Sequence, residues 1–459
     1  MTTLTRRTFL HAMSAVCAAG PAFAKSPLAV LKAAVAEQQV LPTEYPATPL
    51  WTFNGTFPGE ALRIKQGDRV IRKLENTLPQ STAVHWHGIR IDNAMDGVPG
   101  LTQAAVEPGG AFDYDFAVPD AGTYWYHSHN RSTEQIARGL YGSLIVEEAE
   151  GPDVDRDIVL LLDDMRLTQT GEISEDFDSM HDKSHAGRLG NIVLTNGRMD
   201  LSYDVQRNQR LRLRLINASN ARIFQLGLQG LNAWTVALDG MPLDQPQAVE
   251  GSFVIAPAQR VDLIVDVVAD AGSEAFLIHF ERDGGFAQVT FDVGGRDATQ
   301  TRPAPSPLPP NPDHGRTDLA AATPIPLVME GGAMGGMRGA MMGGRRMVMR
   351  ELVQGGQAWA LNGVAGLPEA PLVDVFQSET VRISMRNDTA FPHAMHLHGH
   401  HFREVLPDGT QGPLRDTILI NRNETRDIAF VAHNPGDWLV HCHMLSHQAA
   451  GMKTWMRVQ

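Results

Sequence analysis

Residues 387–399 read Asn-Asp-Thr-Ala-Phe-Pro-His-Ala-Met-His-Leu-His-Gly, and the pattern recurs upstream. Asn387 precedes His396-Leu397-His398-Gly399 by nine residues, and Asn76 precedes His85-Trp86-His87-Gly88 by the same interval. Asn217 stands nine residues before Leu226-Gly227-Leu228, so a middle copy carries leucines where the outer copies carry histidines. Each copy opens on an Asn-Gly pair: Asn54-Gly55, Asn196-Gly197 and Asn362-Gly363. A later block repeats too, with Gly122 ahead of His127-Ser128-His129 and Gly436 ahead of His441-Cys442-His443. Its middle counterpart is Gly272 ahead of Leu277-Ile278-His279. His279 falls in register but lacks companions, and it reads as structural. Repeats on this scale mean similar tandem units. Short β-branched and aromatic runs alternate with Gly, Pro, Asn and Asp, which predicts an all-β chain of three β-sandwich domains.

The domains are expected near 40–150, 151–300 and 325–459, after a helical or irregular lead-in over 25–40. Pro303, Pro305, Pro307, Pro309, Pro310 and Pro312 make 301–324 a stiff, extended linker. The middle domain would act as a spacer without metal. Residues 1–24 carry Arg6-Arg7, a short apolar run and Ala22-Phe23-Ala24, which reads as a twin-arginine export signal and implies the export machinery as a partner and a periplasmic destination. That run is too short, and too interrupted by Gly20-Pro21, to span a membrane. The formal net charge of -13 argues against nucleic acid as a partner. Of the 2 cysteines, Cys17 lies in the signal, so Cys442 alone remains in the mature chain and can form no internal disulfide.

Cys442 has His447 five residues on and Met452 ten residues on. Thiolate, imidazole and thioether are the ligands of a blue-copper electron-transfer site, which needs one further histidine. His393 is preferred, beside the turn-like Phe391-Pro392; His400 and His401 compete and otherwise read as supporting or surface residues. On a strand, Cys442 points one way while His441 and His443 point the other. Metals on the two sides would then lie on the order of 10 Å apart. The i, i+2 pairs His85/His87, His127/His129, His396/His398 and His441/His443 offer eight imidazoles, enough for about three metals. His181, His185, His314 and His433 read as ordinary solvated or capping histidines.

His-Trp-His-Gly, His-Ser-His, His-x-x-His-x-His-Gly and His-Cys-His-x3-His-x4-Met resemble the four copper motifs of the multicopper oxidases, over nearly all of the mature chain. The resemblance implies tandem cupredoxin-like Greek-key domains and four copper ions. A type 1 copper would take His393, Cys442, His447 and, axially, Met452. A type 2 copper would take His85 and His396. One type 3 copper would take His87, His127 and His443, and the other His129, His398 and His441. Electrons from a reductant would pass through Cys442 and its histidine neighbours to the three-copper cluster, where O2 becomes water. Ala394 stands where family members often have Pro. Gln448 stands where several bacterial members carry an acid, so Asp96 becomes the candidate proton donor; its other reading is a turn residue in Asp96-Gly97.

Met329, Met334, Met337, Met341, Met342, Met347 and Met349 crowd residues 329–349 without apolar periodicity. They read as a thioether-rich surface for Cu(I), and they resemble the insertion of bacterial periplasmic cuprous oxidases linked to copper tolerance. The alternative is a laccase acting on phenols or aromatic amines; a copper store or a ligand-free scaffold are weaker fits. A monomer is expected.

Overall fold

The computed structural model describes residues 29–297, 301–312, 314–322 and 324–459; the twin-arginine segment and Cys17 lie outside the described residues. Almost every element is a strand. The first unit packs a sheet ordered Thr48–Phe53, Ala29–Gln38, Arg69–Asn76, Ala111–Ala117 against one ordered Gly59–Lys65, Tyr141–Glu147, Gly122–Ser128, Val84–His87. The middle unit has sheets of six and five strands, and so has the third. Parallel pairing between non-adjacent strands, such as Ile325–Gly331 with Thr380–Asn387, gives each unit its crossover topology.

The repeated asparagines explain the repeated architecture. Asn54, Asn196 and Asn362 sit at φ 56, 50 and 49, each followed by a glycine at φ 76, 75 and 73. Two successive left-handed residues make the tight turn that Asn-Gly favours. Each Asn side chain also bonds a neighbouring strand: Asn54 accepts from Lys32 N and donates to Val30 O, Asn196 does so with Leu161 and Val159, and Asn362 with Val328 and Pro326. Asn76, Asn217 and Asn387 close the second strand after that turn in each unit and are buried. The Asn387 amide donates to Phe391 O, Ile420 O and Asn421 O and accepts from Thr389 N. Asn217 and Asn76 make matching bonds. An inward amide thus fixes the turn leading into the strand nine residues on.

Two sequence expectations are corrected, those for the lead-in and for the methionine segment. The lead-in is strand Ala29–Gln38, pairing parallel with Arg69–Asn76 and burying Leu31 and Ala33; its alanine content hid the period-two pattern. The proline-rich linker is anchored to the first and middle units. Leu308 is buried against Val236, Ala237 and Ile264, Arg302 pairs with Asp155, and the Asn311 amide bonds both backbone groups of Ala121. Residues 329–349 form ordered structure: Met329 is a buried core residue of strand Ile325–Gly331, and Gly339–Met342 pairs with Arg345–Val348 as a hairpin. Met337, Met342, Met347 and Met349 are partly buried around Ala340, Leu352, Ala360 and Ala365, while Met334 is 82% exposed. Adaptable thioethers pack this hairpin without a regular period.

The outer units share one hydrophobic cluster running from Leu31 and Trp86 through Trp438 and Met456, whereas the middle unit has its own. Gly436, at φ 134, lies so close to Asn93 that a Cβ there would fall 2.4 Å from its side chain. The Asn93 amide donates to Asp437 O at 2.7 Å, clamping the first unit on the third. Among the described residues, no helix is long and apolar enough to cross a membrane.

Candidate metal centres and the family

Strand pairing sets the ligand register. His85 lies opposite His127 on strands Val84–His87 and Gly122–Ser128. His396 lies opposite His441 on strands His393–Leu397 and Gly436–Cys442, and Met395 opposite Cys442. Alternation sends His441 to one side and Cys442 to the other. Joining the outer units brings their histidines together: His85 with His396 and His398, and His129 with His398 and His441, each as a group of close ligand atoms. His443 meets His87 and His127 ring to ring at 5.1 and 5.3 Å. All eight are buried.

Hydrogen bonding decides which ring nitrogen is left for a metal. A backbone carbonyl only accepts, so a ring nitrogen bonded to one must carry the proton. His85 Nδ1 donates to Asp96 O at 2.8 Å, His127 Nδ1 to Ser128 O at 3.0 Å, His396 Nδ1 to Asp416 O at 2.9 Å and His441 Nδ1 to Cys442 O at 3.0 Å. His398 Nδ1 donates to the Asp96 carboxylate at 2.9 Å. The opposite nitrogens are therefore bare lone pairs. His398 Nε2 and His441 Nε2 face each other at 3.1 Å, and Nε2 of His85, His127, His129 and His396 is buried without a hydrogen bond. Converging lone pairs repel unless a cation lies among them, so the donor set fits metal ions. Burial, then the neighbouring imidazoles, hold His127, His129, His398, His441 and His443 well below the ordinary histidine range, in the neutral form a metal requires.

The second set obeys the same logic. His447 Nε2 donates to His185 O at 2.7 Å, and His393 Nε2 bonds Thr389 Oγ1 at 2.8 Å. Their Nδ1 atoms converge at 3.1 Å, and Cys442 Sγ lies 3.7 and 3.8 Å from them. Burial pushes the Cys442 thiol up to about 12, so a thiolate here calls for a cation. Burial draws His447 down to about 4. Met452 is fully buried, and its carbonyl accepts from Cys442 N. Trp359 covers the outer side, with its ring 5.0 Å from His393 and 4.5 Å from His447.

Neither His400 nor His401 joins this set, and neither is a surface residue: both are buried. His401 Nε2 lies 3.7 Å from Asp416, and His400 accepts from Asn434 N. His314 is buried and His433 partly so, their rings gathered with His400 and His401 rather than solvated. His185 carries the carbonyl that holds His447. His279 is buried between Phe224 and Phe286. Asp96 follows the short helix Asn93–Met95 as a turn residue, and its carboxylate also reaches His398 and, at 3.2 Å, His85.

Sequence reasoning missed Asp416 and Arg260. Asp416 mirrors Asp96: its carbonyl holds His396 and its carboxylate lies 3.3 Å from His87 Nε2. Arg260, from the middle unit, grips that carboxylate at 2.8 Å and bonds Thr123 O of the first unit. Burial alone would raise Asp416, but Arg260 and then His87 hold it well below the usual carboxylate range. Asp239, buried beside them, is pushed up by burial and by Asp416. The middle unit thus contributes to the charge balance around the clustered histidines. A lone Asp before Thr417 and an Arg among many carried no sequence signal.

Residues 34–151, 156–299 and 344–459 each match a multicopper oxidase family model. The chain is 30% identical to "Multicopper oxidase MmcO" of Mycobacterium tuberculosis, over 89% of this chain and 83% of that one. It is 28% identical to "Copper resistance protein A" of Pseudomonas syringae pv. tomato, over 88% and 89% of the two chains. The crystal structure of Lac15 from a marine microbial metagenome superposes with a TM-score of 0.75 at 42% identity, over 94% of this chain and 100% of that one. With bare imidazoles converging at two buried centres and all three units matched, the chain belongs to the multicopper oxidase family, the copper-dependent oxidoreductases that use O2.

Proposed function

We propose that this enzyme is a periplasmic cuprous oxidase, exported by the twin-arginine route and acting as a monomer in copper tolerance. It takes one electron from each Cu(I), and more slowly from Fe(II) or phenols. Four Cu(I), one O2 and four protons give four Cu(II) and two waters. The observation that supports this substrate is the position of the methionine hairpin. Gly332, at φ 75, lies against the Trp359 ring that covers His393 and His447, so a Cβ there would fall 2.1 Å from the indole. Residues 333–349 thus start beside the blue-copper ligand set. Thioethers favour Cu(I), and the Cu(II) formed prefers harder ligands and leaves.

The proposed occupancy is four copper ions: type 1 on His393, Cys442, His447 and Met452; type 2 on His85 and His396; type 3 on His87, His127 and His443, and on His129, His398 and His441. Bound copper supplies the one-electron redox chemistry and the reduction of O2. The backbone of His441-Cys442-His443 joins the two ligand sets by covalent bonds alone. Asp96 orients His85 through its carbonyl and His398 through its carboxylate. Being carboxylate-bearing and buried at the cluster, it is the proposed proton donor, because Gln448 cannot titrate.

The test replaces Met334, Met337, Met341, Met342 and Met347 by Leu, which keeps the volume and costs little stability. O2 uptake is measured with Cu(I) and with a bulky phenol, and Cys442→Ser provides the blank. Loss of Cu(I) oxidation with phenol oxidation intact is expected. Slow Cu(I) oxidation and fast phenol oxidation in the unaltered protein would instead make it a laccase.

A further inference from the structure

The exposed approach to His447 is built by the middle unit. Helix Met180–Ser184 packs on helix Leu445–Ala449, which carries His447. Its end delivers the His185 carbonyl to His447 Nε2 at 2.7 Å. The Cα that bears that carbonyl also bears the His185 imidazole. From ring to ring the route is covalent except for one hydrogen bond.

His181 lies one turn back on the same face. The two imidazoles stack with centroids 4.1 Å apart and planes 12° apart. The His181 side chain is 77% exposed, and His185 is half-buried. His185 Nδ1 bonds His181 O at 3.0 Å, and no hydrogen bond to its Nε2 is formed among the described residues. The two imidazoles, one on the helix and one on the residue that caps its end, lie close enough to share a transition-metal ion. A soft ligand arrives at the same place. Ala333 N donates to Ser184 O at 2.7 Å, and the next residue, Met334, is 82% exposed. Met334 is held at φ 63, a left-handed conformation unusual for a side chain of its size. The fold thus brings the His181–His185 segment and the methionine segment into contact.

We infer that His181 and His185, with the Met334 thioether, form the docking site at which Cu(I) rests before it is oxidised. The inference rests on the cuprous oxidase reading. The docked ion loses one electron and leaves as Cu(II); the electron enters at His447, and O2 is the final acceptor. Imidazole and thioether both accept Cu(I). A phenol needs neither.

Ag(I) has the charge and soft-ligand preference of Cu(I) but gives up no electron here. It is titrated calorimetrically into the copper-loaded protein and into His181→Ala/His185→Ala, a double variant that keeps the His185 carbonyl and hence its bond to His447. Unchanged blue absorbance and melting temperature show that the variant is folded and loaded. The expected result is one Ag(I) equivalent fewer in the variant. The KM for Cu(I) should rise about tenfold or more, since losing even an outer partner of a metal costs about 10–100-fold in affinity. Phenol turnover should stay unchanged in the single variant His181→Ala, whose ring is exposed, and Met334→Leu should show a smaller rise in the KM for Cu(I). Equal Ag(I) equivalents and affinity in the two proteins would overturn the docking site, even if Cu(I) oxidation stays fast. Absence of Cu(I) oxidation in the unaltered protein would overturn the cuprous oxidase reading instead, whatever the Ag(I) count.

Discussion

Strands Phe224–Gln229 and His393–Leu397 hold the same place in the middle and third units, yet only the second sets a histidine against other imidazoles. In the third unit His396 pairs across to His441; in the first His85 pairs to His127; in the middle unit Leu226 pairs to His279. The turn before each strand is fixed by the same inward asparagine. Fold and site are therefore separable. The asparagines, glycines and core residues build the sandwich, and a few positions on one strand face decide whether it gathers imidazoles. His279 is in register but stands between aromatic rings. It meets Phe224 and Phe286 where its counterparts meet other imidazoles and a carboxylate-bearing turn.

The largest effect should come from cutting the contact by which the middle unit reaches the centre. Arg260→Met leaves Asp416 and Asp239 buried without their shared cation. Breaking one partner of a buried ion network costs about 3–5 kcal/mol. The variant should unfold at markedly lower denaturant, and its copper content should fall because Asp416 no longer holds His87 and His396 steady. Retention of full copper loading and stability would confine the middle unit to spacing.

A smaller effect separates fold from site. Asn387→Ala strands the carbonyls of Phe391, Ile420 and Asn421, and Asn217→Ala strands those of Arg222 and Ile255. Each should cost about 3 kcal/mol, from the penalty for buried unsatisfied groups. Only Asn387→Ala should also lower blue absorbance, since the turn it holds leads into His393. Equal copper loss in both variants would show that the units do not act separately.

The smallest effect concerns His279. Burial, and then Arg222, lower it to about 4, below its ordinary value near 6.5. The unfolded chain therefore binds the extra proton between those values. His279 withdraws stability as pH falls from about 6.5 to 4 and has no such effect above that window. His279→Leu should narrow the loss of melting temperature between pH 7 and pH 4. Parallel pH profiles for the two proteins would mean that His279 titrates as freely folded as unfolded.

How much was legible follows from the kind of signal each feature leaves. Ligand types at fixed spacing are local, and the His-x-His pairs, Cys442, His447 and Met452 could be read from spacing and resemblance without a coordinate. The strand Ala29–Gln38 was hidden because alanine favours no strand pattern; its pairing with Arg69–Asn76 is a long-range contact. The methionine segment lacked a period because its thioethers fill an irregular hairpin, and Met329 belongs to a core strand that merely adjoins it.

The all-β class and the threefold repeat are legible from the chain alone, because each is written in local chemistry or in a period that survives without folding. Only the tertiary structure decided which nitrogen of each histidine is bare, since that depends on carbonyls such as those of Asp96, Asp416 and His185, supplied by other segments. Folding also brings Arg260 from the middle unit to balance Asp416, and sets Ala333, beside Met334, against Ser184, beside His185. Such partnerships join residues far apart in the chain, and their energy exists only once the domains have closed on one another.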